Sequence, residues 1–152
     1  MGADGMKKVL EGIAQRVKEE PFARLLGMEL KDINPGHSIV EMAFRPEMEN
    51  IHGMAHGGAI FALIDEAFET ASNSHGTVAV ALNINTTYIS APPVGTLLRA
   101  EAQEVSLTRR TASYLIQVTD EQGHLVATCQ ALVYRKDEKL PFIAGEPEDK
   151  AG

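Results

Sequence analysis

Residues 57–73 read Gly57-Gly58-Ala59-Ile60-Phe61-Ala62-Leu63-Ile64-Asp65-Glu66-Ala67-Phe68-Glu69-Thr70-Ala71-Ser72-Asn73. Ile60, Leu63, Ile64, Ala67 and Ala71 recur at spacings of three and four, the repeat of an α-helix with one apolar side. Phe61 and Phe68 widen that stripe on one shoulder, so the helix is predicted to be buried against a sheet. The flanks say which sheet. Upstream, Met28 to Ile33 and His37 to Phe44 are strand-like and separated by Asn34-Pro35-Gly36, a turn sequence, so they read as a hairpin. Downstream, four strand-like runs follow: Val78 to Ser90, Thr96 to Leu107, Thr111 to Thr119 and His124 to Arg135. Further upstream, Val9, Leu10, Ile13, Ala14 and Val17 mark an amphipathic helix over Met6 to Glu20. Pro21 interrupts it, and Phe22 to Leu26 forms another turn ended by Gly27. Helix, two strands, long helix, four strands is an α+β order with a mostly antiparallel six-stranded sheet. Residues 1–136 read as one domain. Residues 137–152, charged and holding Pro141 and Pro147, are expected to fray or lie on the surface.

The 152 residues suffice for one domain with a substantial core and are too few for two ordinary ones. A formal charge of -7 argues against nucleic acid and anionic membranes as partners, since both need a basic patch. No apolar run approaches the roughly 18 residues of a membrane helix. The stretch Met1 to Lys8 has no apolar leader segment, so a cytoplasmic location is expected. Cys129 is the single cysteine. It alternates with Leu125, Ala127, Ala131 and Val133 on one strand face, the setting of a packing residue rather than a nucleophile.

The chemistry concentrates at the start and middle of the long helix. Gly57-Gly58 suits a plain tight turn, but it also lets a ligand approach the first helical N–H groups, which have no partner within the helix. Such donors fit a carbonyl oxygen that gains negative charge in a transition state. Asp65 interrupts the apolar helix about 40° beyond Phe61, at the edge of the stripe. Partial desolvation there would raise its basicity, as a general base requires. Glu66 and Glu69 are expected to form the solvent side. Gly57 and Asp65 lie eight residues apart, about 12 Å along a helix, too far to act on one group within one chain. If both act, Gly57 of one subunit meets Asp65 of another in a two-fold homodimer.

Asn50, then His56-Gly57-Gly58, Asp65 and Ala67 resemble the signature of the phenylacetic-acid-degradation (PaaI-like) type of hotdog thioesterases. The resemblance runs roughly from Phe22 to Arg135 and includes Tyr88 and Gly95. It implies a hotdog fold, in which a curved antiparallel sheet wraps the long helix, and protomers that pair into homodimers and often homotetramers. It implies hydrolysis of an acyl group carried on coenzyme A, with aryl or medium-chain acyl groups as candidates. Carried over, the Gly57 N–H would polarise the thioester carbonyl and Asp65 would be nucleophile or general base. Asn50 would help place the attacking water or the thioester, and His56 would orient the turn or touch the carbonyl. Gly58, Phe61 and Phe68 would contact substrate. Asn83 matches a position that often holds a hydroxyl residue, and asparagine there departs from the pattern. Arg109 and Arg110, in a turn between two strands, could reach the anionic end of coenzyme A. No cofactor and no metal are implied. A thioester is activated enough for a carboxylate, a water and one oxyanion donor, and the chain has no serine nucleophile elbow.

Three other readings compete. Asp32-Ile33-Asn34-Pro35-Gly36-His37 resembles the motif of hotdog enoyl-CoA hydratases, but Ile39 stands where an acidic residue belongs, and Asn-Pro-Gly is an ordinary turn. His52, His56 and Asp65 have a spacing that suits zinc on a helix, which Gly53 and Gly57 disfavour. A hotdog protein that binds acyl-CoA without hydrolysing it gains nothing from a carboxylate beside an acyl chain.

Overall fold

The computed structural model describes residues 1–143. Helices α1 (Ala3–Glu19) and α2 (Pro21–Leu26) precede the hairpin β1 (Glu29–Asn34) and β2 (His37–Ala43). Helix α3 (Gly57–Asn73) follows, then β3 (Thr77–Tyr88), β4 (Leu97–Leu107), β5 (Thr111–Thr119) and β6 (Leu125–Lys139). The bounds of α3 are those the apolar periodicity predicts.

The six strands form one sheet in the order β1-β2-β4-β5-β6-β3, and every neighbouring pair is antiparallel. The β1–β2 turn closes at Gly36, whose φ of 73° is a left-handed conformation that glycine adopts without strain. Helix α3 touches all six strands, so the sheet wraps it as the hotdog resemblance implies. Alternation makes this possible: Leu98, Ala100 and Ala102 of β4 and Ala112, Tyr114, Ile116 and Val118 of β5 point inward onto Leu63, Ile64, Ala67 and Phe68. The alanines of β4 let the helix sit close. Ser38 of β2, buried among them, donates its hydroxyl to the Ala67 carbonyl at 2.6 Å.

Two expectations need correction. Residues 137–143 are not a frayed surface tail. β6 continues to Lys139, Leu140 and Ile143 are buried, and the Phe142 ring lies 5.6 Å from the Arg16 guanidinium. Leu140 and Ile143 supply apolar area that packs near α1, where a Cβ on Gly12 would stand 2.8 Å from Ile143 Cδ1. The charge of the segment hid this. Residues 144–152 of that expected tail lie outside the described residues. Glu66 is likewise not on a solvent side. It is 3% exposed, and the exposed line of α3 is Phe61, Asp65 and Glu69, four residues apart. The sheet covers most of the rest of the helix, and Glu20 of the α1–α2 junction reaches Glu66.

Candidate active site

His56 is the N-cap of α3, in extended conformation, and its Nδ1 accepts the Gly58 N–H at 2.8 Å. With Nδ1 accepting, the ring proton sits on Nε2. The N–H groups of Ala59 and Ile60 both reach the His56 carbonyl, at 3.0 and 3.3 Å. Of the four amides that open the helix, Gly57 N–H is thus the one without a protein acceptor among the described residues. The Tyr88 hydroxyl donates to the Gly57 carbonyl at 2.9 Å, and a Cβ on Gly57 would meet the Tyr88 ring at 3.2 Å. A side chain here would crowd the ring that holds the turn. Gly58, expected to contact substrate, has its amide taken by the cap.

Asn50 shapes the loop leading into α3. Its Oδ1 accepts the N–H groups of His52 and Met54 at 2.9 and 3.1 Å, and its own N–H reaches the Met54 carbonyl at 2.8 Å. The side-chain amide of Asn50 is left to serve a ligand. His52 is exposed in that loop, and among the described residues it forms no metal cluster with His56 and Asp65.

Asp65 stands two turns along the helix. It reaches the surface yet lines a cleft of about 330 Å³ with Phe22, Ala62, Phe68 and Val80. Partial burial, and after it the negative charge of Glu20, raises its carboxyl above the ordinary aspartate value. The helix pattern predicts this partial desolvation. Phe61 is 37% exposed one turn before it, available to a ligand, whereas Phe68 is 1% exposed and packs edge-on against Tyr114 at 5.6 Å. Phe68 is first a core residue, and only its margin reaches the cleft. A larger groove between α1 and residues 137–142 meets this cleft at Glu20 and Glu69 but contains neither Asp65 nor the start of α3.

Three expected residues are not brought to Asp65 within one protomer. Asn83 is exposed on β3, past the irregularity in the ladder between Ala81 and Asn83, and is not among the cleft-lining residues. Arg109 and Arg110 face Asp137, at 2.8 and 3.5 Å, and Arg110 also donates to the Tyr134 hydroxyl. Their turn lies beside the start of β3, where Ala79 pairs with Arg135, while Gly57 is held by Tyr88 at the other end of that strand. Sequence reasoning missed Thr86. Its hydroxyl is buried and stands opposite Cys129 in the β3–β6 ladder, where the two side chains meet. Burial pushes the Cys129 thiol up, and the Asp65 charge adds to that, so this inner face is within electrostatic reach of Asp65. A threonine in a run of Thr86 and Thr87 carries no signal of which hydroxyl faces inward. The Asp32–His37 segment is a hairpin at the sheet edge remote from β3, where His37 pairs with Glu101 at 2.9 Å.

Behind Asp65 lie Glu66 and Glu69. Burial raises both carboxyls above 4.5; the Glu20 hydrogen bond and the Glu69 charge add to this at Glu66, and the Glu20 and Asp65 charges at Glu69. A carboxyl raised in the folded chain keeps its proton where the unfolded chain has lost it, so its contribution to stability falls as pH rises above the unfolded value. With a chelator present, the melting temperature is expected to drop between about pH 5 and pH 8, and Glu66→Gln to flatten that drop. Equal slopes for the two proteins in thermal scans would contradict the assignment.

A thioesterase-superfamily sequence model matches residues 52–127. The acyl-coenzyme A thioesterase PaaI of Escherichia coli is 32% identical over 118 residues, covering 78% of this chain and 84% of the relative. The solved structure of the E. coli PaaI protein superposes with a TM-score of 0.84 over 88% of this chain and 96% of that one, at 28% identity. A mutant of the phenylacetic acid degradation protein PaaI from Thermus thermophilus superposes with a TM-score of 0.74, 40% identical and covering 77% of this chain and 100% of the other. A Streptococcus mutans protein solved with acetyl CoA bound reaches 0.71 at 26% identity, covering 74% of this chain and 91% of that one. The wrapped helix and the all-antiparallel sheet agree with these likenesses, and the chain belongs to the hotdog-fold thioesterase superfamily, among the relatives of PaaI.

Proposed function

We propose that the protein hydrolyses acyl-CoA thioesters, with aryl or medium-chain acyl groups as the substrate class, in a site shared by two protomers. Asp65 of one acts as nucleophile or general base, and the Gly57 N–H of the other polarises the thioester carbonyl. The observation that carries this is the free Gly57 amide at the start of the same helix that presents a desolvated Asp65 two turns on. Oxygen adds to the carbonyl carbon, the C–S bond breaks, and coenzyme A leaves as its thiol with the proton taken from water. Asn50 helps place the water or the thioester; His56 holds the turn. Phe61 borders the acyl chain. The relative named an acyl-coenzyme A thioesterase and the relative solved with acetyl CoA support the substrate class.

A dimer is supported by what one protomer leaves uncovered. β3 ends the sheet, with its outer edge unpaired among the described residues and Val80 and Leu82 exposed on it. A long apolar edge strand of this kind is a template for pairing with another chain.

Release of free coenzyme A from a panel of aryl- and fatty-acyl-CoAs tests the activity; acyl-CoA that binds and is never hydrolysed would replace the proposal with a binding role. Gly57→Pro tests the donor. Proline fits the first helical position and His56 already has the extended backbone that precedes proline, but the ring also presses on Tyr88, so an unchanged melting temperature is the control that assigns the loss to the missing N–H. Removing an oxyanion donor is expected to lower kcat by about 10²–10³. Mixed one-to-one with Asp65→Ala, it should recover about a quarter of wild-type activity, because half the dimers then hold one intact site. Verified heterodimers without recovery would sink the shared site.

A further inference from the structure

We infer that Glu20, Glu66 and Glu69 form a site for a hard divalent cation of the calcium class, where the α1–α2 junction crosses α3.

One carboxylate oxygen from each of the three lies within 4.8 Å of the other two. Oxygens around a calcium ion at about 2.4 Å are at most about 4.8 Å apart, so the three have the spacing of a cation's ligand set. The donor set is oxygen only, which selects calcium or a similar hard cation over zinc or copper. A second observation is independent of this clustering. Glu66 is 3% exposed, and its Oε1 has no hydrogen-bond partner. A buried carboxylate oxygen without a partner is costly, and a coordinated ion would offset that cost. No Lys, Arg or His side chain lines the cleft that holds these groups; Arg16 and Lys139 line the adjoining groove, where Arg16 faces the Phe142 ring. Without an ion, protonation relieves the crowded charge, which agrees with the upward shifts of Glu66 and Glu69. Glu69 and Glu20 border both the cleft and the larger groove, so waters can complete the six to eight ligands calcium takes. The site uses neither His52 nor His56, the residues of the zinc reading, and it shares a cleft with Asp65, whose oxygens are not part of the cluster.

The experiment uses the full chain stripped with chelator and titrated with Ca²⁺ by calorimetry near pH 8, in two buffers of different ionisation heat. One saturable Ca²⁺ per protomer is expected, with proton release, because binding expels the protons the cluster holds. Affinity should fall at least about tenfold in Glu69→Gln, whose exposed side chain makes misfolding no concern, and in Glu66→Gln, which keeps the shape of the buried group. Mn²⁺ in place of Ca²⁺ should show the same stoichiometry by paramagnetic resonance. Absence of saturable binding up to millimolar Ca²⁺ would overturn the inference and leave a proton-sharing carboxyl cluster. Equal affinity in wild type and both variants would overturn it as well, marking an adventitious ion elsewhere. Neither readout depends on hydrolysis, so the inference and the thioesterase proposal can fail separately.

Discussion

Replacing Asp65 by Asn is expected to cut coenzyme A release by about a hundredfold to ten-thousandfold while leaving the fold intact. The size is that of general acid–base catalysis by one positioned group. Asparagine matches the shape of the carboxylate and removes its charge and basicity. The side chain reaches the surface and makes no hydrogen bond within the described residues, so stability should shift by no more than about 0.5 kcal/mol, the usual range for surface changes. The pH profile carries a second signature. Burial and the Glu20 charge raise the Asp65 carboxyl, so the acid limb of kcat/KM should lie above the pH at which a free aspartate titrates. Equal rates for wild type and variant across the acyl-CoA panel would make Asp65 structural and void the mechanism.

Phe68→Ala is expected to destabilise the protein by about 3–5 kcal/mol, the cost of emptying a large buried aromatic site. Phe68 is 1% exposed, and its ring stacks edge-on against Tyr114, which is itself fully buried, so the cavity has rigid walls and little room to collapse. Urea unfolding measures this directly, with the midpoint falling at unchanged slope. The result separates two roles for the residue. A wall of the acyl site would change KM and spare stability. A core residue loses stability first, and its effect on substrate comes through a loosened cleft.

Much of this molecule is legible in the chain. The bounds of α3, the β1–β2 hairpin at Pro35-Gly36 and the four later strands follow from local periodicity and turn chemistry, which need no knowledge of neighbours. The raised Asp65 carboxyl is legible too, because a single charge at the margin of an apolar helical stripe has only partial access to water. The capping of Gly58 by His56, which singles out Gly57 as the free donor, is legible only as a glycine pair. The rotamer that turns Nδ1 toward one amide and not the other is a matter of geometry.

Glu66 marks where sequence stops. A helical pattern tells which residues share a side, and it treats the side opposite the apolar stripe as wet. That holds for a helix covered from one direction. Here the sheet wraps α3 and Glu20 of the α1–α2 junction lies against Glu66, so that beyond the first turn the exposed line is Phe61, Asp65 and Glu69. The same contact brings Glu20, about 46 positions earlier in the chain, onto Glu66 and Glu69. It is long-range packing, too, that buries Leu140 and Ile143 and commits Arg109 and Arg110 to Asp137. Local sequence therefore determined the elements, their order and the partly desolvated Asp65, because each depends on neighbours within a few residues. Tertiary structure alone decided which charges lost their water, because desolvation depends on what the rest of the chain lays over them.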